Sequence, residues 1–184
     1  MKIFLIRHTR PAIEKGICYG ITDLDVADSF PEEASLIRSV LPDLRGKTTI
    51  FSSPLQRCYK LADYLAGKQS VQIENRLIEI SFGDWELKPW RSFERQTLVD
   101  WKKKFVHTPC PNGETFQNVF NRVKQFYEEI HELDSDQVFL VSHSGVIRAF
   151  LCLLNGIPLH NAFDDQFGFG VVFQIDQGKV NRIK

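Results

Sequence analysis

The chain has 184 residues, and its 23 basic and 23 acidic side chains give a formal charge of zero. This length suits one domain with a full core, and the balanced charge argues against nucleic acid as a partner. The four cysteines form no Cys-x-x-Cys pair, which argues against a disulfide framework or a zinc site. The longest apolar run, 149–154, is too short to cross a membrane. We therefore expect a cytoplasmic protein without a membrane segment, metal or cofactor.

The first half of the chain predicts strands and helices in alternation. Residues 3–6 are apolar and run into Arg7 and His8, which indicates a buried strand that ends at this pair. Pro11 then favours a loop. The elements predicted after this loop are a helix from Ser29 to Gly46, a strand at 48–51, a helix from about Leu55 to Gly67 and a short strand at 71–73.

The second half begins with a stretch that lacks a clear period. We expect a loop at 75–90 with an ordered turn at Phe82-Gly83. The elements predicted after it are helices at 92–104 and 114–133, a buried strand at 138–141, a helix at 146–154 and a hairpin of strands at 170–175 and 179–183.

This alternation predicts a single α/β domain over residues 1–184. Strands that alternate with helices form βαβ units, which place helices on both faces of a mostly parallel sheet. We expect a three-layer sandwich with an antiparallel hairpin at its C-terminal end.

Polar residues follow three of the predicted strands. Arg7 and His8 end the first strand, 52–57 follows the second, and 143–145 follows the strand at 138–141. Because parallel strands share one carboxyl edge, these groups can converge without being close in sequence. Ser144 and Gly145 also open a helix, whose free backbone N–H groups attract anions.

Two histidines and two arginines at one edge have the composition of a phosphate site. Arginine binds oxyanions through its fork of donors. Positive neighbours disfavour imidazolium, so a histidine among arginines is held neutral and can act as a nucleophile.

The sequence resembles the histidine phosphatase superfamily in its phosphoglycerate-mutase-like branch. The resemblance rests on four segments in order, and they span nearly the whole chain. These segments are Leu5-Ile6-Arg7-His8, Ser52-Ser53-Pro54-Leu55-Gln56-Arg57, the acid-bearing loop 77–86 and Val141-Ser142-His143-Ser144-Gly145-Val146-Ile147-Arg148.

The resemblance implies a role for each of these motif residues. His8 would be the nucleophile that becomes phosphohistidine, and Glu79 the acid that protonates the leaving oxygen. Arg7, Arg57 and His143 would bind the phosphoryl group, so that two guanidiniums and an imidazolium stabilise its charge without a metal. Ser144 is a further candidate for phosphate binding.

The chain departs from the family pattern at two places. The family continues Arg-His-Gly-Glu and has a later phosphate-binding asparagine, whereas this chain reads Arg7-His8-Thr9-Arg10-Pro11. Thr9 or Arg10 is the candidate replacement, and Arg10 could equally be a surface residue. The family's Trp-Glu-Gly is Trp85-Glu86-Leu87 here, so we expect a different path for this loop.

The opening of the chain is most similar to the subgroup described as α-ribazole phosphatases. The resemblance implies hydrolysis of α-ribazole 5′-phosphate, or of the cobamide equivalent, in cobalamin nucleotide-loop assembly. A pocket for its flat benzimidazole needs an apolar wall, for which the candidates are Tyr19, Phe82, Trp85 and Trp90.

Three alternatives to this subgroup remain open. They are a broad phosphatase of sugar phosphates and other small molecules, a residual phosphoglycerate mutase, and a phosphate-binding scaffold without turnover. The expected partner is a small phosphoester, and the expected state is a monomer or small homo-oligomer.

Overall fold

Six strands and five α-helices, joined by loops and short 3-10 turns, make up the computed structural model, which describes residues 1–44 and 46–184. In chain order they are β1 (Lys2–Arg7), α1 (Phe30–Arg38), β2 (Thr48–Ser52), α2 (Gln56–Ala66), β3 (Gln72–Ile73), α3 (Arg95–Lys104), α4 (Phe116–Ile130), β4 (Gln137–Ser142), α5 (Ser144–Asn155), β5 (Val172–Asp176) and β6 (Lys179–Arg182).

The strands form one mixed sheet in the order β3-β2-β4-β1-β5-β6. The first four of these are parallel, β5 runs antiparallel to β1, and β6 runs antiparallel to β5. The predicted fold class is therefore confirmed, with its C-terminal hairpin at β5 and β6.

Helices cover both faces of the sheet and bury two separate cores. Side chains alternate between the faces of a strand, so Ile3 and Leu5 of β1 pack with α4 and α5. Phe4 and Ile6 point to the other face and pack with α1 and α2. Burial on both faces explains why β1 is a continuous apolar run.

Three helices are clearly shorter than the sequence indicated, and one of them is α4, which spans Phe116–Ile130 rather than 114–133. α1 ends at Arg38 rather than near Gly46, because Pro42 lacks an N–H and disfavours a helical conformation in the preceding residue; Arg45 lies outside the described residues. α3 begins at Arg95 rather than Ser92, whose hydroxyl donates to the carbonyl of Pro89 at 2.7 Å. That bond belongs to a separate 3-10 turn at Trp90–Ser92.

Among the described helices, none combines the length and the apolar character needed to span a bilayer.

Candidate active site

A cavity of about 170 Å³, here called the site cavity, lies where β1 and β4 end. Loops that follow parallel strands meet at this edge of the sheet. The lining combines polar residues of these loops with aromatic and apolar residues of other segments: Arg7, His8, Ile17, Tyr19, Glu79, Ile80, Phe82, Trp90, Ser144, Gly145 and Phe163. Four of the predicted site residues, Arg7, His8, Glu79 and Ser144, thus border one cavity.

His8 is almost fully buried, and a backbone carbonyl orients its ring. Nδ1 lies 2.6 Å from the carbonyl oxygen of Thr9; because this oxygen can only accept, Nδ1 carries the proton and Nε2 the lone pair. Burial, together with the charges of Arg57 and Arg7, lowers the pKa of His8 well below its ordinary value of 6.5. The ring is therefore neutral at neutral pH, as expected for a histidine among arginines.

Backbone carbonyls fix both predicted arginines. Arg7 Nη1 donates to the carbonyl of Phe167 at 2.9 Å, and Arg57 donates to those of Thr22 and Gly20 at 2.7 and 2.6 Å. The Nε of each arginine is buried without a hydrogen-bond partner among the described residues. Since an unmade hydrogen bond of a buried donor costs free energy, each guanidinium retains an N–H that an oxyanion can satisfy.

The two residues after His8 differ in burial. The Thr9 side chain is fully buried, and its hydroxyl has no partner in the described part of the chain. The Arg10 side chain is 66% exposed, with Nε 3.6 Å from a carboxylate oxygen of Glu33. The structure does not bring Arg10 into the lining of the site cavity, whereas Thr9 offers a spare donor beside His8.

His143 is fully buried and does not line the site cavity, and its ring packs against that of His8 in a T-shaped arrangement. Their ring centroids are 5.1 Å apart, and Nε2 of His143 lies 2.8 Å from the hydroxyl of Ser53 and 3.4 Å from the sulfur of Cys58. Burial first, then the charges of Arg57 and His8, lower the pKa of His143 well below 6.5. The prediction that His143 is an imidazolium is therefore wrong, because a ring with this lowered pKa is neutral at neutral pH.

Glu79 binds the start of α5. Its Oε1 accepts from the backbone N–H groups of Gly145 at 3.1 Å and Ile80 at 3.0 Å. A Cβ at position 145 would lie too close to this oxygen, so a larger residue there would displace the Glu79 carboxylate. The expectation of a free N–H at Gly145 is corrected by this bond, and the hydroxyl of Ser144 accepts from Arg148 at 3.2 Å.

Glu86 is a residue whose part in the site was not foreseen. Its carboxylate accepts from the backbone N–H groups of residues 20–22 at 2.9 to 3.1 Å. Burial opposes ionisation, but the hydroxyl of Thr22 and these N–H groups lower the pKa of Glu86. Arg57 holds the carbonyls of the same loop, so the loop is fixed from both sides. The available signal was an acid at the end of the motif 77–86.

Arg148 is a second unforeseen residue, and it anchors the segment 159–170. Its Nη1 donates to the carbonyls of Ala162 at 2.6 Å and Asp165 at 2.7 Å. Its guanidinium carbon also lies 4.8 Å and 4.4 Å from the ring centres of Phe163 and Phe167. The segment in turn supplies Phe163 to the site cavity.

The same segment contacts Arg7, the last residue of β1, and His8, which follows it. The ring centre of Phe169 lies 4.3 Å from the guanidinium carbon of Arg7 and 5.5 Å from the ring centre of His8. Gly170 donates its N–H to the carbonyl of His8 at 3.1 Å. The segment 159–170 therefore helps to fix both residues.

Three of the four aromatic candidates line the site cavity. They are Tyr19, Phe82 and Trp90. Trp85 is only 6% exposed and stacks on Phe93 with ring centroids 4.7 Å apart. Its place is in the packing of the loop, so Trp85 is the one candidate of the four that does not line the site cavity.

The described residues include no group of three or more His, Cys, Asp or Glu side chains placed to hold a metal ion. All four cysteines are buried, and their thiols are free. That the protein needs no metal or cofactor stays a prediction.

The sequence matches a known family over most of its length. The histidine phosphatase superfamily (branch 1) matches residues 3–177. Phosphoserine phosphatase 1 of Hydrogenobacter thermophilus is 30% identical over 167 residues, which are 86% of this chain and 78% of that protein.

Two further relatives share another activity in their names. Adenosylcobalamin/alpha-ribazole phosphatase of Escherichia coli is 27% identical over 186 residues, covering 97% of this chain and 87% of that protein. The crystal structure of the alpha-ribazole phosphatase from Shigella flexneri superimposes with a TM-score of 0.85 at 25% identity, covering 99% of this chain and 94% of that one.

Proposed function

Because the chain belongs to the histidine phosphatase superfamily, we propose that it is a phosphomonoesterase whose domain, residues 1–184, works through a phosphohistidine at His8. One observation carries the proposal. A buried, neutral His8 with its lone pair on Nε2 lies beside Arg7 and Arg57, each of which has a buried donor without a partner among the described residues.

In the first step, Nε2 of His8 attacks phosphorus. The new P–N bond forms as the P–O bond to the leaving group breaks, and Glu79 gives the leaving oxygen its proton. Arg7 and Arg57 stabilise the charge on the equatorial oxygens, and His143 contributes as a neutral N–H donor rather than a cation.

In the second step, water attacks the phosphohistidine. The new P–O bond forms as the P–N bond breaks, the proton of the water goes to Glu79, and His8 regains its lone pair. Inorganic phosphate leaves, and the histidine and the carboxyl group return to their starting states. The cycle consumes one water and one phosphomonoester.

A labelling experiment tests this chemistry. A ³²P-labelled substrate should leave acid-labile, base-stable label on the wild type, and His8→Ala should show neither label nor turnover above about a thousandth of the wild-type kcat. His143→Ala is the matched variant, since it removes a neighbouring imidazole and should still trap label. Label on His8→Ala would place the nucleophile elsewhere, with His143 the next candidate.

For the substrate, we propose α-ribazole 5′-phosphate or its cobamide equivalent. Two relatives carry alpha-ribazole phosphatase in their names, and the aromatic lining of the site cavity suits a leaving group with a flat apolar ring. kcat/KM for α-ribazole 5′-phosphate should exceed that for ribose 5-phosphate by at least about tenfold.

Phosphoserine is the second candidate substrate. Two relatives carry phosphoserine phosphatase in their names. A groove of about 520 Å³ with Arg10, Glu14 and Lys15 adjoins the site cavity through Ile17 and Tyr19. We call it the charged groove, since its cations could bind a carboxylate. A higher kcat/KM for phosphoserine than for α-ribazole 5′-phosphate would favour this candidate.

A further inference from the structure

A second cavity of about 410 Å³, here called the apolar cavity, adjoins the site cavity. The two share four wall residues. These are Ile80, Phe82, Trp90 and Phe163. The remaining lining comes from α3 and the residue that follows it: Leu98, Trp101, Lys102 and Phe105.

The two cavities differ in volume, and only the apolar cavity is as large as a typical small-molecule site. Small-molecule sites commonly occupy about 300–1,000 Å³. The site cavity, at about 170 Å³, is below this range, while the apolar cavity, at about 410 Å³, lies within it. A leaving group larger than a small alcohol must therefore extend beyond the site cavity.

One wall of the apolar cavity is formed by Trp101. Its Nε1 is buried and has no hydrogen-bond partner among the described residues. Because this atom has almost no accessible surface, a ligand in the cavity meets the apolar part of the indole ring.

The charged groove is the other possible direction for the leaving group. It meets the site cavity through Ile17 and Tyr19 and contains Arg10, Glu14 and Lys15. Charged side chains favour a charged leaving group. The lining of the apolar cavity has one charged residue, Lys102, and its aromatic walls favour a flat, apolar ring.

We propose that the apolar cavity binds the leaving group of the substrate, a flat bicyclic heterocycle that packs against its aromatic walls. This inference rests on the proposed phosphatase function and specifies where that site recognises its substrate. In α-ribazole 5′-phosphate, this ring is the benzimidazole.

A charge in the apolar cavity tests where the ring binds. Leu98→Glu should lower kcat/KM for α-ribazole 5′-phosphate by about tenfold or more, because the carboxylate would be desolvated by the ring. Turnover of ribose 5-phosphate, which has no ring to place there, should stay within about twofold. The matched control is Val99→Glu, at the next position of α3, exposed and outside the cavity lining; it should alter neither substrate.

The possible outcomes separate this inference from the function on which it rests. Equal losses on both substrates in Leu98→Glu would overturn it, as would loss of the α-ribazole preference in Lys15→Ala instead. If the wild type forms phosphohistidine from p-nitrophenyl phosphate but shows no α-ribazole preference, the inference fails and the phosphatase chemistry stands. If no phosphomonoester is turned over, both fail.

Discussion

The position of Glu79 fits two roles, proton donor and anchor of α5. Its carboxylate borders the site cavity and also binds the backbone of α5. General acid catalysis matters most when the leaving group is a poor one. Glu79→Gln should therefore lower kcat for ribose 5-phosphate by about 10²- to 10⁴-fold and change kcat for p-nitrophenyl phosphate far less. Steady-state kinetics on the two substrates measures the difference.

The control for this variant is Asp84→Asn. Asp84 belongs to the same loop, is exposed, and accepts from the side chain of Asn112 at 3.0 Å; its replacement should affect neither substrate. If Glu79→Gln reduces both rates equally, Glu79 holds α5 in place instead of supplying a proton. The search for the acid would then move to Asp23, which binds the backbone N–H of Gln56 at 2.7 Å, and to Asp84 only if Asp84→Asn also lowers turnover of ribose 5-phosphate.

At this scale, the sequence predicts residues that end strands better than residues that follow them in a loop. Arg7 and His8 could be placed because they directly follow an apolar strand. The sequence could not decide whether Thr9 or Arg10 is the one that borders the phosphate site. That outcome depends on Glu33, whose carboxylate binds both the backbone N–H and the side chain of Arg10. That contact joins residues far apart in the sequence.

The loop after Glu86 contains a backbone conformation that favours glycine. Leu87 has a φ of 62°, at the position where the family pattern has glycine, and its side chain is 55% exposed. Leu87→Gly removes a strained conformation and few contacts, so the free energy of unfolding should rise by up to about 1 kcal/mol. Urea denaturation measures the change, and kcat should be unaffected.

Leu36→Gly provides the matched control for Leu87→Gly. Leu36 is 57% exposed but lies within α1, where glycine costs about 1 kcal/mol. The same substitution should thus destabilise one position and stabilise the other. A loss of stability in both variants would show that the Leu87 side chain contributes more than its backbone conformation costs.

Helices and strands were predictable where the hydrophobic periodicity was strong, as in α4 and β4. Their boundaries were harder to predict where an individual hydrogen bond sets them. Ser92 has the residue type of a helix cap, yet its hydroxyl binds the carbonyl of Pro89. The anchors Glu86 and Arg148 escaped prediction because both bind backbone groups. Backbone N–H and carbonyl groups are the same at nearly every position, so such contacts leave no pattern in the sequence.

For the molecule as a whole, the two buried histidines link stability to pH. Burial and nearby arginines lower the pKa of His8 and His143 well below 6.5, so below that pH the unfolded chain binds protons that the folded protein does not. The two histidines therefore leave the free energy of unfolding unchanged above pH 6.5 and lower it as the pH falls below 6.5. Each histidine should lower it by about 1 kcal/mol per pH unit in that range.

Urea denaturation at about pH 7.5 and 5.5, in buffers without phosphate or sulfate, measures this loss. His8→Gln cannot be protonated and should lose about 1 kcal/mol less than the wild type between these values. The control is His107→Gln, at an exposed position, which should keep the wild-type difference. An unchanged difference in His8→Gln would show that other groups cause the acid sensitivity.

The buried donors of Arg7, Thr9 and Arg57 that lack partners among the described residues also bear on the end of the proposed reaction. Inorganic phosphate presents the same tetrahedral oxygens as the ester, so these donors cannot tell product from substrate. Progress curves should therefore bend before the substrate is exhausted, as accumulating phosphate competes for the site. Sustained flux would then depend on whatever removes phosphate from the surroundings of the enzyme.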